Sequence, residues 1–389
     1  MLYRYTDIKT VHLEVTDKCN AACPMCARNI NGGEDNPQLP DVELSVDDVM
    51  TMFPVDFVKQ LDRMYMCGNY GDPIAAKDTL EIFQYFRKHN PKMTLSLHTN
   101  GSAKSTDWWN QLATILGSKG YVVFSVDGLE DTNHLYRQNT VFSKIMTNAR
   151  AFISAGGRAR WDYIVFAHNE HQVELAETLA NKMGFEKFQF KKSARFFSNA
   201  SGVTKEMHQS ANRKGLTTLL QPPTNPKYRN SALKELSKIA STTNEVKFLP
   251  SKVADLDSIL GKQVFHLEAE KKSAMEKYWD TSEIKCKVAE EKSIYISAEG
   301  IVQPCCWTAG QMYVWYWEPK TSQIWDLINR VGKDNLNAKI TPLQNIVDGL
   351  FFQDLIPDSW NKASCAEGKL AVCAKTCGGK YDAFMEQFK

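Results

Sequence analysis

Hydrophobic positions in the first 190 residues alternate between two periods. Short runs rich in β-branched and aromatic residues, at 11–15, 63–67, 94–98, 121–126, 161–166 and 188–190, read as strands. Longer stretches at 79–89, 108–116, 144–155 and 172–183 read as helices. In the last of these, Val173, Leu175, Ala176, Leu179, Ala180 and Met183 recur at helical spacing. Strand–helix alternation at about 30 residues per unit implies a parallel α/β sheet, because each parallel crossover needs a covering helix. Six such units build either a doubly wound sheet or a partial barrel, and in both ligands gather at the C-terminal strand ends. Thr99-Asn100-Gly101 and Asp127-Gly128 mark two such ends.

The pattern fades after Lys192. Residues 191–272 hold 15 Lys and Arg against 7 Asp and Glu, with a break at Gln221-Pro222-Pro223 and a helix expected near 232–240. This stretch reads as a solvated linker or insertion, or as a basic flap for an anionic substrate. From about 281 a strand pair, 293–297 and 301–303, is joined by Ala298-Glu299-Gly300, and an amphipathic helix is expected at 381–388. The expected division is therefore a core at 1–195, a basic linker or insertion at 196–280, and a small α+β domain at 281–389. Over all 389 residues the net charge is +2, which gives no electrostatic reason to expect nucleic acid. No run approaches 18 apolar residues and no secretory signal opens the chain, so no membrane partner and a cytoplasmic location are expected.

Ten cysteines change the picture. In a reducing compartment, clustered cysteines more often bind metal or do redox chemistry than form disulfides. Cys19, Cys23 and Cys26 sit together, Cys67 stands alone, and Cys286, Cys305, Cys306, Cys365, Cys373 and Cys377 fall in the last third. Cys19-Asn20-Ala21-Ala22-Cys23-Pro24-Met25-Cys26 is a C-x3-C-x2-C run directly after the first strand. Three thiolates on one loop can hold three corners of a 4Fe–4S cube and leave one iron open to a small chelating molecule. A structural zinc site would want a fourth ligand close by, and none follows. Cys67 reads as an ordinary buried thiol.

These residues resemble a known family. Val15-Thr16-Asp17-Lys18-Cys19-Asn20 and the cysteine run after it are similar to the signature of radical S-adenosylmethionine (SAM) enzymes. Gly68-Asn69-Tyr70-Gly71-Asp72-Pro73 after the second strand resembles the family's Gly-Gly-Glu-Pro loop, which binds the methionine amino group, with Asp72 where Glu is commoner. Asn100 in Thr99-Asn100-Gly101, and Ser125 and Asp127 in Ser125-Val126-Asp127-Gly128, stand at matching strand ends. Arg137 in His134-Leu135-Tyr136-Arg137 resembles an Arg that pairs the methionine carboxylate. Met25 corresponds to the apolar residue near the adenine, or to a core methionine. The resemblance spans about residues 8–192 and implies a partial (β/α)6 radical SAM barrel. It further implies a 4Fe–4S cluster on Cys19, Cys23 and Cys26, and S-adenosyl-L-methionine held by Gly68, Tyr70, Gly71, Asp72, Pro73, Asn100, Ser125, Asp127, Arg137 and Met25.

In the C-terminal part, Cys286 and Cys305 bracket the expected hairpin, whose ends meet in space. Cys373 and Cys377 share a later loop, and Cys365 is a rival ligand. The set resembles the SPASM or twitch extension of radical SAM enzymes, though one cysteine of the SPASM run is missing. Six cysteines fall short of the roughly eight that two fully ligated cubes need. One auxiliary iron–sulfur cluster is expected, with a structural zinc site or two incompletely ligated clusters as alternatives. Cys305 and Cys306 point to opposite sides of an extended chain and are not expected to share a cluster.

The resemblance implies reductive cleavage of SAM to a 5′-deoxyadenosyl radical and hydrogen abstraction from a small-molecule or peptide substrate, in an oxidation or related rearrangement. A low-potential donor such as flavodoxin or ferredoxin would supply the electron. Peptide or protein side-chain modification is the enzyme alternative, and an iron–sulfur electron-transfer protein is the non-catalytic one. The glycine loop, Asp72 and Arg137 argue against the latter, because an electron carrier needs no SAM-binding groups.

Overall fold

The computed structural model describes residues 2–30, 32–193, 196, 208–211, 217–230, 274–315 and 317–378. The helices expected near 232–240 and 381–388 lie outside the described residues, as does most of the basic stretch.

All six expected strands form: β1 (Thr10–Leu13), β2 (Arg63–Met66), β3 (Thr94–Thr99), β4 (Gly120–Ser125), β5 (Ala159–Ile164) and β6 (Lys187–Lys191). They pair in parallel in chain order. Before β2 come α1 (Val46–Met52) and α2 (Val55–Gln60); later crossovers carry α3 (Thr79–His89), α4 (Thr106–Leu116), α5 (Asn133–Tyr136), α6 (Phe142–Ser154) and α7 (Val173–Met183). The α1–α2 pair is not visible in the periodicity, because each helix is short and Pro54 separates them. Locally α1 is well specified, since the Ser45 hydroxyl accepts from the Asp48 amide while the Asp48 carboxylate accepts from the Ser45 amide.

Within the basic stretch, β7 (His208–Ala211) and β8 (Thr217–Leu220) form a separate antiparallel pair. The expected C-terminal hairpin also forms, as β9 (Ser293–Ile296) and β10 (Val302–Gln303). β9 adds in parallel to β1, Thr10 facing Ser293 and Leu13 facing Ile296. One sheet therefore runs β10-β9-β1-β2-β3-β4-β5-β6, with β10 and β6 at its open edges. The C-terminal strands extend the core sheet.

Alternation along the strands divides the sheet into two faces. Val11, Leu13, Met64, Met66, Leu95, Leu97, Val122, Phe124, Trp161, Ile294 and Ile296 join one buried apolar core under the helices. Each fully buried aliphatic side chain there, such as Leu95, is worth about 1.5–3 kcal/mol. The concave face is different in kind. In register across it stand Gln303, Tyr295, His12, Tyr65, Ser96 and Tyr121. His12 stacks on Tyr65 at 4.4 Å between centroids and meets Tyr295 edge-on at 4.9 Å. Burial lowers the imidazoles of His12 to about 4 and His98 to about 3, so both are neutral at pH 7. Arg160, Asp162 and Lys191 continue this polar face toward β6, and Lys191 Nζ lies 2.5 Å from Asp162 Oδ2. Helices thus cover one face, and the other carries largely buried polar and aromatic side chains.

Candidate active site

Glu14 follows β1 and is buried. Its Oε1 accepts from the Tyr70 and Gly71 amides at 2.7 and 3.0 Å, and its Oε2 accepts from the Tyr295 hydroxyl. The loop 68–73 is thereby fixed on β1. Backbone approach is closest at Gly71, where a Cβ would fall 1.8 Å from the Thr16 carbonyl oxygen, and at Gly68, where it would fall 1.8 Å from that of Gly71. The Asp72 amide donates to the Lys18 carbonyl at 2.8 Å. Glycine is required because this loop lies directly on the chain that leads into the cysteine run.

Asp72 is itself occupied. Its Oδ2 accepts from both the backbone and side-chain amides of Asn100 at 2.7 Å, and its Oδ1 caps Ile74 at 3.2 Å. Burial raises its pKa, while the Asn100 bonds pull the other way. The Asn100 side chain also donates to Asn20 Oδ1 at 2.9 Å and lies 3.8 Å from Cys19 Sγ. The Thr99-Asn100-Gly101 strand end therefore reaches both the glycine loop and the cysteine loop.

On the other side, the Ala22 amide donates to the Gln138 carbonyl at 3.0 Å. Arg137 Nη1 lies 3.9 Å from Cys23 Sγ, and its Nε lies 2.5 Å from Asp127 Oδ2. The second Asp127 oxygen accepts from the Ile164 amide at 2.5 Å. Burial penalises both charges of the pair, but the geometry and the Arg137 guanidinium, which stays protonated, keep it ionic. Ser125 stands in register with Asp162 at the end of β4.

Cys19 and Cys26 are half-buried and Cys23 is buried. Burial pushes the Cys23 thiol up to about 11 and raises Cys19 as well. Donors aimed at the sulfurs in so dry a site suit thiolates bound to metal, which takes the proton's place. The residues fit a cluster with three protein ligands. Beside them Ala21, Cys23, Tyr136, Phe166, Phe196 and Leu220 form a small apolar cluster, against which Met25 packs. Phe196 and Leu220 come from the stretch expected to be a linker.

The second set of thiols converges too. Cys286, Cys305, Cys373 and Cys377 line one cavity, with Pro304, Trp307 and Trp360 among its walls. Cys373 and Cys377 lie one turn apart on the helix Ala371–Cys377. Cys286 and Cys305 each precede a short helix, Lys287–Glu291 and Cys306–Ala309. Burial raises the Cys305 and Cys373 thiols and pushes Cys286 up to about 12. The site therefore also suits metal-bound thiolates. Among the described residues, in this site and in the cysteine loop alike, no group of three or more His, Cys, Asp or Glu side chains is placed to hold a metal ion. Cys365 does not line the cavity; it lies in the turn Cys365–Glu367, its amide donating to Asp280 at 2.6 Å. Cys306 is not in the lining either, and its carbonyl accepts from Asn69. Glu14, Phe196 and Leu220 carried no sequence signal of a site role, and Asn69 lay in the quoted glycine loop without being singled out.

Residues 13–180 match the family model described as the radical SAM superfamily. No curated protein sequence matches the chain. Among solved structures, SuiB of Streptococcus suis bound to precursor peptide SuiA is similar at a TM-score of 0.52 and 14% identity, over 97% of this chain and 73% of SuiB. A histidine-tagged anSMEcpe with bound AdoMet is similar at 0.52 and 14%, over 98% of this chain and 92% of that one. Against SuiB bound to S-adenosylmethionine the TM-score is 0.46 at 14% identity, and 78% of this chain spans 61% of SuiB. At these identities the likeness is one of fold. Among the described residues no helix is long and apolar enough to cross a membrane. Residues 13–180 thus form a radical SAM domain, and enzymes of that superfamily use a 4Fe–4S cluster and SAM for radical reactions.

Proposed function

We propose that Cys19, Cys23 and Cys26 hold the SAM-cleaving 4Fe–4S cluster and that the chain is an oxidoreductase-like radical SAM enzyme. When bound, cluster and SAM supply a 5′-deoxyadenosyl radical able to abstract hydrogen from unactivated carbon. The observation that carries the assignment is the convergence of Asn100 and Arg137 on the sulfurs of one three-thiol loop. The chain's own groups position and exclude. Glu14 and Asp72 hold the glycine loop, whose Gly68, Tyr70, Gly71 and Pro73 backbone faces the methionine amino end. Asp127 orients the Arg137 fork toward a carboxylate. Met25 and the apolar cluster of Phe166, Phe196 and Leu220 shelter the adenine side from water.

Cys286, Cys305, Cys373 and Cys377 would hold one auxiliary cluster, which would supply an electron acceptor. Four thiols line this one cavity, and four thiolates suffice for one cube. The substrate would approach the polar face of the sheet that carries the Lys191–Asp162 pair. Peptide side-chain modification is supported as a second reading by the fold likeness to SuiB, solved with a precursor peptide. The electron comes from a flavodoxin- or ferredoxin-type donor. Ten cysteines, none of them in a disulfide, suit a cytoplasmic location. Anaerobic protein with strong reductant and SAM should release 5′-deoxyadenosine, and Cys23→Ala protein should not; equal release by both would sink the assignment.

A further inference from the structure

The glycine loop touches the C-terminal thiol site as directly as it touches the cysteine loop. Asn69 Nδ2 donates to the Cys306 carbonyl at 2.7 Å, and the Tyr70 hydroxyl donates to the Gly310 carbonyl at 3.0 Å. The Tyr70 ring meets Tyr313 edge-on at 5.6 Å. These carbonyls belong to the turn whose other side lines the cavity through Cys305, Trp307 and Thr308. The turn is closed on itself by Ala309 to Cys305 and Gly310 to Cys306 backbone bonds of 3.2 and 2.8 Å. Glu14 adds a third tie, since it holds the Tyr70 and Gly71 amides and receives the Tyr295 hydroxyl from β9. Beyond the cysteine run, Asn36 donates to the Tyr313 carbonyl at 2.7 Å and Gln38 to the Val314 carbonyl at 2.8 Å.

We propose that Asn69 and Tyr70 are positioning residues which make the loop 68–73 and the turn 305–310 one mechanical unit, so that filling the C-terminal thiol cavity tightens SAM binding at the N-terminal site. This rests on the cluster assignments above. The loop and the turn contain no spare length: a Cβ at either glycine would strike backbone, and both side-chain donors end on main-chain carbonyls. A turn held on one side by a filled metal site presents those carbonyls at fixed positions. An unfilled site frees the turn and, with it, the loop. Coupling of this kind is reciprocal, so SAM must also strengthen retention of the C-terminal metal.

The test is a mutant cycle on the full chain, reconstituted anaerobically with iron and sulfide, with SAM affinity read by equilibrium dialysis. Cys373→Ser/Cys377→Ser empties the cavity from the side opposite the turn. Asn69→Ala/Tyr70→Phe cuts both ties and keeps the Tyr70 ring. Each pair should weaken SAM roughly three- to tenfold, the size expected for one or two net hydrogen bonds, and the combined protein should be no weaker than either alone. In a second measurement, SAM should slow removal of the C-terminal iron by a ferrous chelator in the native chain but not in Asn69→Ala/Tyr70→Phe. Tyr70→Phe alone serves where the double substitution lowers the melting temperature. Multiplying losses in the combined protein, or SAM binding unchanged by emptying the cavity, would overturn the coupling. Iron content unchanged in Cys373→Ser/Cys377→Ser would instead show the cluster assignment wrong, and the coupling falls with it.

Discussion

Arg137 offers a test in which two roles of one residue separate. Its guanidinium sits 2.5 Å from a carboxylate that is fully buried, while its own side chain is 17% exposed. Arg137→Ala leaves Asp127 with a buried charge set against the neutral Ile164 amide. Removing one member of a buried pair costs about 3–5 kcal/mol of stability. If Arg137 also pairs the SAM carboxylate, a charge-assisted bond worth about 1.5–3 kcal/mol goes as well, which is roughly ten- to hundredfold in affinity. The double variant Arg137→Ala/Asp127→Asn removes the stranded charge and should recover much of the stability. It should recover none of the SAM affinity. Thermal melting and equilibrium dialysis read the two effects independently. Recovery of both together would mean that Arg137 supports only the fold around Asp127, and an Arg137→Ala protein that melts like the native chain would mean that the pair is not a buried ion pair.

Three further outcomes follow from particular contacts. Burial pushes the Glu14 carboxyl up to about 7, against the lowering pull of the Tyr295 hydroxyl and two loop amides. The folded state therefore holds this proton to higher pH than the unfolded chain, so stability falls as pH rises from about 4.5 to about 7, by about 3 kcal/mol at most. Urea midpoints of Glu14→Gln should lack that decline, and parallel pH curves for both proteins would contradict the assignment of the slope to Glu14. Gly71→Ala must displace backbone at the Thr16 carbonyl, at a cost of about 1–3 kcal/mol visible in thermal melting; unchanged stability would show that the loop yields freely. Iron analysis should find about eight irons in the native chain, about eight in Cys365→Ala and about four in Cys377→Ala. Loss of iron in Cys365→Ala would bring Cys365 into the ligand set.

Local pattern carried the first half of this fold, because each parallel strand lies beside its sequence neighbour and each long crossover helix announces itself by period. It failed where the partner is remote. Nothing in residues 293–296 says that they pair with 10–13, since a parallel strand looks the same whichever edge it joins. That one pairing brings Tyr295 to Glu14, extends the core sheet with strands assigned to a separate domain, and makes the contact of Asn69 with Cys306 possible. The same limit hid Phe196 and Leu220, two apolar residues in a basic stretch whose purpose appears only beside Cys23.

The thiols show where spacing is informative and where it is not. Cys373 and Cys377, expected on a loop, stand four apart on a helix and so share one face, and Cys286 and Cys305 line one cavity because a hairpin lies between them. Cys365 has neither relation, and small neighbours alone did not bring it in. Cys305 and Cys306 do part company, though for a different reason than extended-chain alternation. Cys305 is the extended residue that ends the hairpin, and Cys306 is the first residue of a helix whose carbonyl faces the glycine loop. Adjacent cysteines thus serve two directions: one sulfur lines the C-terminal cavity, and the next residue's backbone carries that position to the loop beside the cysteine run. Spacing of residue types could place the two thiol sites separately, but the bonds that join them run through backbone carbonyls, which every residue possesses and no motif records.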